Sequence, residues 1–175
     1  NVNIFETKAK IISDIDVLIV RVETKVDKEI IVAGKKLKII ATPTTGIDHI
    51  DTEEAERRGI EIISAQGANT DATAELTFAL LLSLLRKIPF AFNATSNGIW
   101  DRNNFFGNEL KGKTIGIIGC GRIGSRVGKY AKAFGMNLEV YDPFVDQKIL
   151  NEIGATSVSF EKLIRESDII TLHTF

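Results

Sequence analysis

Apolar and polar positions alternate in two rhythms along the chain. Short apolar runs read as strands at residues 16–20 (Asp-Val-Leu-Ile-Val), 37–41 (Leu-Lys-Ile-Ile-Ala) and 60–64 (Ile-Glu-Ile-Ile-Ser). Helical signals lie between them. Asp27 can cap a short helix that runs through Ala33 and stops at Gly34. Asp51, with Glu54 three residues on, forms a capping-box pattern, and Arg57-Arg58-Gly59 ends that helix. This βαβαβ order predicts a parallel sheet covered by helices. A longer helix follows, from about Ala72 to Ile88, with Thr70 or Asp71 as cap and Pro89 as its stop. It is apolar nearly all round (Leu76, Phe78, Ala79, Leu80, Leu81, Leu82, Leu84, Leu85). Such a helix is buried on several sides, by two domains meeting, by two subunits meeting, or at the centre of one domain. Residues 89–112 show no periodicity and read as a connecting arm carrying Phe90, Phe92, Trp100, Phe105 and Phe106.

The pattern resumes at Lys113 with strand, glycine turn, helix, strand and acidic residue. Thr-Ile-Gly-Ile-Ile leads into Gly119-Cys-Gly-Arg-Ile-Gly124, and Asn137-Leu-Glu-Val-Tyr leads into Asp142. The glycine spacing alone is weak. The flanking strand, the helix face of Ile123, Val127, Tyr130, Ala131 and Phe134, and an acidic residue 18 positions past Gly124 make it a dinucleotide-binding order of parts. Gly119 serves the tight turn, Gly121 the close approach of a diphosphate, and Gly124 the packing of the helix. The helix N-terminus offers N–H groups to phosphate oxygens. A carboxylate at Asp142 suits the ribose of NAD and repels the extra phosphate of NADP. Ser159 caps a last helix, and residues 168–173 read as a strand.

Composition narrows the class. The chain has 175 residues with 22 basic and 23 acidic side chains, so no basic footprint for nucleic acid exists. No apolar run reaches membrane-spanning length, and no secretory signal precedes the first strand. The single cysteine, Cys120, allows no internal disulfide and suits a cytoplasmic protein. It reads as a small side chain tolerated in the glycine turn. No metal-ligand pattern is present.

Taken together, several ordered motifs resemble the NAD-dependent D-2-hydroxyacid dehydrogenases, most nearly their phosphoglycerate dehydrogenase-like branch. These are the glycine turn, Tyr141-Asp142-Pro143, Gly67-Ala-Asn69-Thr, Thr45-Gly-Ile-Asp-His-Ile-Asp51, Ala74-Glu75, Trp100-Asp-Arg102 and Gly107-Asn-Glu-Leu110. The resemblance implies an α/β fold of two doubly wound parallel-sheet lobes with a cleft between them. One is a flavodoxin-like substrate lobe over 1–90. The other is a Rossmann nucleotide lobe over 91–175, truncated at its C-terminal end. It implies an oxidoreductase moving a hydride between NAD(H) and a D-2-hydroxy or 2-oxo acid, with 3-phosphoglycerate one candidate; the wide apolar surface of the long helix and the aromatic arm separately predicts a homodimer built on them. Arg21 and Asn69 would line the substrate cleft. The backbone N–H groups of Thr45, Gly46 and Ile47 would hold the substrate carboxylate, with Thr45 also near the nicotinamide. In the cofactor site built by Gly119, Gly121 and Gly124, Arg122 and Ile123 would meet the diphosphate, Asp142 the ribose, and His173 and Thr174 the adenosine side.

Departures from the family pattern are specific. Val22 stands where a serine is common, and Phe175 where a proline is usual. Thr42-Pro43-Thr44, leading into Thr45, points to no one substrate. The family's catalytic arginine, acid and histidine fall beyond Phe175, so no catalytic residue is expected within this chain, and residues 1–175 alone are expected to be inactive. His49 reads as a surface turn residue. An alternative function is an NAD(H)-sensing, corepressor-like binding module, and a further one is a structural remnant with no ligand.

Overall fold

The structure is a computed structural model that describes residues 11–174; Phe175 lies outside them. Two compact units divide the chain, the first ending at Asn69 and the second beginning at Thr70. The long helix therefore groups with the second unit, whose start lies 21 residues before the lobe boundary after residue 90 read from the sequence.

In the first unit, β1 (Val17–Ile19), β2 (Ile39–Thr42) and β3 (Glu61–Ser64) form a parallel sheet in that order. Helices α1 (Lys28–Ala33) and α2 (Thr52–Arg57) connect them. Both helices start as the sequence predicts. The Asp27 carboxylate accepts the Ile30 N–H at 3.1 Å, and the Asp51 carboxylate accepts that of Glu54 at 2.9 Å. The second half of the capping box is absent. Glu54 turns instead into the protein, where Arg57 (2.7 Å), Arg58 (2.9 Å) and Lys28 (3.7 Å) surround it. The Arg58 hydrogen bond is the main cause that holds its carboxyl below the usual carboxylate range. Three cations outcompete one backbone N–H for that carboxylate, and the Lys28 pair links α1 to α2. The core behind the sheet holds Val20, Val26, Ile31, Ile40, Ile50 and Ala55.

The second unit opens with α3 (Thr70–Leu85) and α4 (Ile88–Ser96). Here the sequence reading needs correction. Pro89 does not stop one long helix; it sits in the first turn of a second helix. Lys87, with φ +52°, makes the left-handed corner between them. Part of the expected arm is thus helical. The remaining strands, β4 (Thr114–Ile118), β5 (Asn137–Tyr141), β6 (Thr156–Ser157) and β7 (Ile169–Leu172), form a parallel sheet ordered β6-β5-β4-β7. Helices α5 (Arg122–Ala133), α6 (Gln147–Ile153) and α7 (Phe160–Glu166) cross between them. Strand order reverses at β4, whose neighbours β5 and β7 leave in opposite directions. The crevice beyond the carboxyl end of such a strand is where α/β sheets bind ligands.

α3 packs on α5. Ala74 is fully buried, and Phe78 stacks on Phe134 (5.2 Å between centroids) and meets Tyr130 edge-on (5.8 Å). Leu76, Leu80 and Leu84, one stripe at four-residue spacing, are exposed.

Candidate functional site: a glycine turn and a hydroxyl-braced loop

The turn between β4 and α5 is built by its glycines. Gly119 has φ +84°, and a Cβ there would lie 2.7 Å from the His173 carbonyl oxygen. A Cβ on Gly124 would strike the Gly119 carbonyl oxygen, so this glycine lets α5 close onto the turn itself. Gly121 is the N-cap of α5 and offers no side-chain cap to the helix. A Cβ on it would meet nothing within 4 Å. An uncapped helix start, facing open space, at the switch point of a parallel sheet is what a dinucleotide's diphosphate requires. The residues present therefore fit NAD.

Asp142 ends β5 and is held from both sides. One carboxylate oxygen accepts the Cys120 N–H at 2.7 Å and the other accepts the Phe144 N–H at 2.8 Å. The group that would meet the ribose is thus fixed to the glycine turn. The neighbouring Cys120 thiol is buried, and its pKa is pushed up to about 11, chiefly by burial and then by the Asp142 charge. It is no nucleophile at neutral pH, as its lack of an activating base in the sequence suggests. His173 follows β7, and its carbonyl backs onto Gly119. Its ring Nε2 pairs with the Thr171 hydroxyl at 2.9 Å. Burial lowers its pKa below the usual histidine value. Thr174 is exposed beside the same glycine, Arg122 opens α5, and Ile123 packs its side chain onto the core.

In the first unit, the loop after β2 brings together most of the residues proposed for substrate. The Thr45 hydroxyl donates to Asn69 Oδ1 at 3.0 Å. Among the described residues, the backbone N–H groups of Thr45, Gly46 and Ile47 have no acceptor. Successive backbone N–H groups in a turn can make an anion-binding concavity. Gly46 borders a recess of about 390 Å³ lined by Val22, Lys25, Asp48 and His49. Arg21 itself is exposed and leans toward Glu23 at 3.5 Å. His49 is more enclosed than a surface turn residue: its Nε2 is buried with no partner among the described residues.

The sequence reading missed two features. Helix α6 starts at an Asp146 cap and ends at a left-handed Gly154, both visible as residue types. The Thr42-Pro43-Thr44 run has an internal structure of its own: the Thr42 and Thr44 hydroxyls are 2.8 Å apart, and the Thr44 hydroxyl donates to the Gly46 carbonyl at 3.0 Å. No group of three metal-ligating side chains occurs among the described residues, and no described helix is long and apolar enough to cross a membrane.

Residues 78–175 match the model of the D-isomer specific 2-hydroxyacid dehydrogenase NAD binding domain. The chain belongs to this family. Curated relatives include D-3-phosphoglycerate dehydrogenase of Archaeoglobus fulgidus, 47% identical over 158 residues, covering 90% of this chain and 30% of the relative. Glyoxylate reductase of Thermococcus litoralis is 45% identical, covering 93% of this chain and 51% of the relative. Among solved structures, D-lactate dehydrogenase of Aquifex aeolicus, complexed with NAD and lactic acid, superposes with a TM-score of 0.87 at 31% identity. It covers 95% of this chain, which covers 50% of it. The chain thus spans about a third to a half of these relatives' lengths. The dehydrogenase family's NAD-binding fold accounts for the glycine turn, the position of Asp142 and the parallel sheet of the second unit.

Proposed function

We propose that the protein containing this chain transfers a hydride between NAD(H) and a D-2-hydroxy or 2-oxo acid. The observation that carries this reading is the uncapped start of α5 at Gly121, beside an Asp142 carboxylate locked to the same turn. NAD, when bound, supplies the hydride acceptor. The chain's residues would hold it: Gly119 to Gly124, with the N–H groups of Arg122 and Ile123, on the diphosphate; Asp142 on the ribose; His173 and Thr174 on the adenosine side. Thr45, Gly46 and Ile47 would hold the substrate carboxylate through their N–H groups. Asn69 and Arg21 would complete that site, and Thr45 would also face the nicotinamide. We assign no catalytic residue to this chain. Proton transfer needs a base within reach of the hydroxyl. His173 is tied to Thr171, and His49 Nε2 is shut away.

The names of the relatives differ in substrate, so the acid is assigned as a class, with 3-phosphoglycerate and glyoxylate as candidates. NADH absorbance with the intact protein against glyoxylate, hydroxypyruvate and 3-phosphohydroxypyruvate tests it. Turnover of at least one is expected, and none with residues 1–175 alone. An intact protein that binds NADH but reduces none of them refutes the enzymatic reading.

We further propose a homodimer. The exposed Leu76, Leu80 and Leu84 stripe and the exposed Phe90, Phe92, Trp100 and Phe106 support it, since apolar groups of this size gather where a partner covers them. A monomeric mass in solution would refute it.

A further inference from the structure

We propose that Thr42 and Thr44 are positioning residues that set which way the carboxylate-binding loop faces. This rests on the reading of Thr45, Gly46 and Ile47 as the substrate-carboxylate site. The hydroxyls form a directed relay. The single Thr44 hydroxyl proton goes to the Gly46 carbonyl (3.0 Å), so in the 2.8 Å pair with Thr42 the Thr42 hydroxyl must donate. Thr42 is only 4% exposed at the end of β2, so the relay starts on a rigid, buried base. The backbone braces the same loop. The Ala65 N–H is shared between the carbonyls of Thr42 (3.2 Å) and Thr44 (3.1 Å), and Pro43 between them has a fixed φ.

The consequence follows from the planarity of the peptide. In a trans peptide the carbonyl of one residue and the N–H of the next point in opposite directions. Drawing the Gly46 carbonyl back toward Thr44 therefore turns the Ile47 N–H outward. Ile47 is anchored on its other side, where its carbonyl accepts the Ile50 N–H at 2.9 Å and its side chain packs on the core. Beside that anchor, the peptide between Gly46 and Ile47 can choose a direction, since glycine gives it freedom to flip. Flipped, it would present a carbonyl oxygen to the substrate carboxylate. The Thr44 hydroxyl makes that choice.

The test uses the intact protein saturated with NADH and titrated calorimetrically with oxalate, a carboxylate probe that does not react. Thr44→Val keeps the shape and removes the hydroxyl. It should weaken oxalate about fivefold or more, the worth of one hydrogen bond plus a misdirected carbonyl. Thr44→Ser should restore binding, and NADH affinity, measured separately, should stay within twofold in both. Thr42→Ser should bind as wild type. Three results would overturn the proposal: wild-type protein that does not bind oxalate, a Val variant that binds it as well as wild type, or a Val variant whose oxalate and NADH affinities fall together. Wild-type turnover of a 2-oxo acid is a separate result and bears on the enzymatic reading alone.

Discussion

The two units use the same parallel-sheet grammar but end their strands differently. In the first, the helices after β1 and β2 each begin with an aspartate, and the Asp27 and Asp51 carboxylates take up the N–H groups of the first turn. In the second, the helix after β4 begins with Gly121, which has no side chain to take them up. A helix start carries N–H groups and a partial positive charge that some acceptor must meet. The first unit meets that demand from its own sequence. On the proposed reading the second leaves it to a cofactor at α5, although it caps α6 with Asp146 and α7 with Ser159. Among the helices that cross between strands, α5 has a glycine N-cap where α1, α2, α6 and α7 have Asp or Ser, and we read that start as the place the proposed cofactor meets.

The strongest way to break this contrast is to give α5 the missing cap. Gly121 has φ −73° and open space for a side chain, so Gly121→Asp meets no steric bar. The variant should fold with an unchanged or slightly higher Tm, since Asp is at least as good a cap as Gly. Its carboxylate would occupy the diphosphate position. Like charges about 4 Å apart in a partly screened site repel by several kcal/mol, so NADH affinity should fall at least ~100-fold. Fluorescence titration and thermal melts read both. Retained NADH binding in a folded variant would show that the cofactor lies elsewhere.

A second test concerns the buried thiol in the same turn. Cys120 keeps its proton in the folded protein until about pH 11, whereas the free thiol loses it at about 9.0. The folded state therefore binds more protons in that window, and stability must fall as pH rises from about 9 toward 11. The loss is up to roughly 2–3 kcal/mol at 1.4 kcal/mol per pH unit. Chemical unfolding of the second unit at pH 8 and 10.5 should show a smaller alkaline loss for Cys120→Ala than for wild type. The first unit has no cysteine and should show none of this component.

Asp142→Ala sharpens the contrast from the ligand side. It removes a charge held in place by Cys120 and Phe144 and should reduce the preference for NADH over NADPH about tenfold, as the loss of a charged hydrogen-bond acceptor implies. Comparative titration with the two cofactors checks it. An unchanged ratio would mean that Asp142 does not face the 2′ position.

The glycine turn was legible in the sequence because each glycine answers a local demand: a positive φ at Gly119, a collision at Gly124, open space at Gly121. The caps at Asp27, Asp51 and Ser159 were legible for the same reason, since a cap and its N–H groups lie three residues apart. What was not legible depends on distant partners. Glu54 leaves its capping box mainly for Arg57 and Arg58 on its own helix, and the third cation around it, Lys28, comes from another helix. The Thr42–Thr44 relay required the loop to curl back on Gly46, which no periodicity announces. The break at Lys87 was hidden because apolar residues run through it and proline both stops and starts helices. Asp146 and Gly154 were readable as cap and terminator of α6; their signal lay in single residues between two stronger motifs.

The smallest effect tests whether the caps of the first unit are purely local. Asp51→Ala removes the acceptor of the Glu54 N–H and should destabilise the first unit by about 1 kcal/mol. For a unit of this size that is a Tm shift of about 4–8 °C. Asp27→Ala should act similarly through the Ile30 N–H. Neither helix start belongs to the proposed cofactor site, so NADH affinity should not change in either variant. The pair of measurements separates the two kinds of helix start. At Asp51, changing the cap moves stability and leaves ligand binding alone; at Gly121, adding one moves ligand binding and leaves stability alone. If Asp51→Ala weakened NADH tenfold without lowering Tm, the first unit's helix starts would be taking part in binding, and the division of labour drawn between the two units would fail.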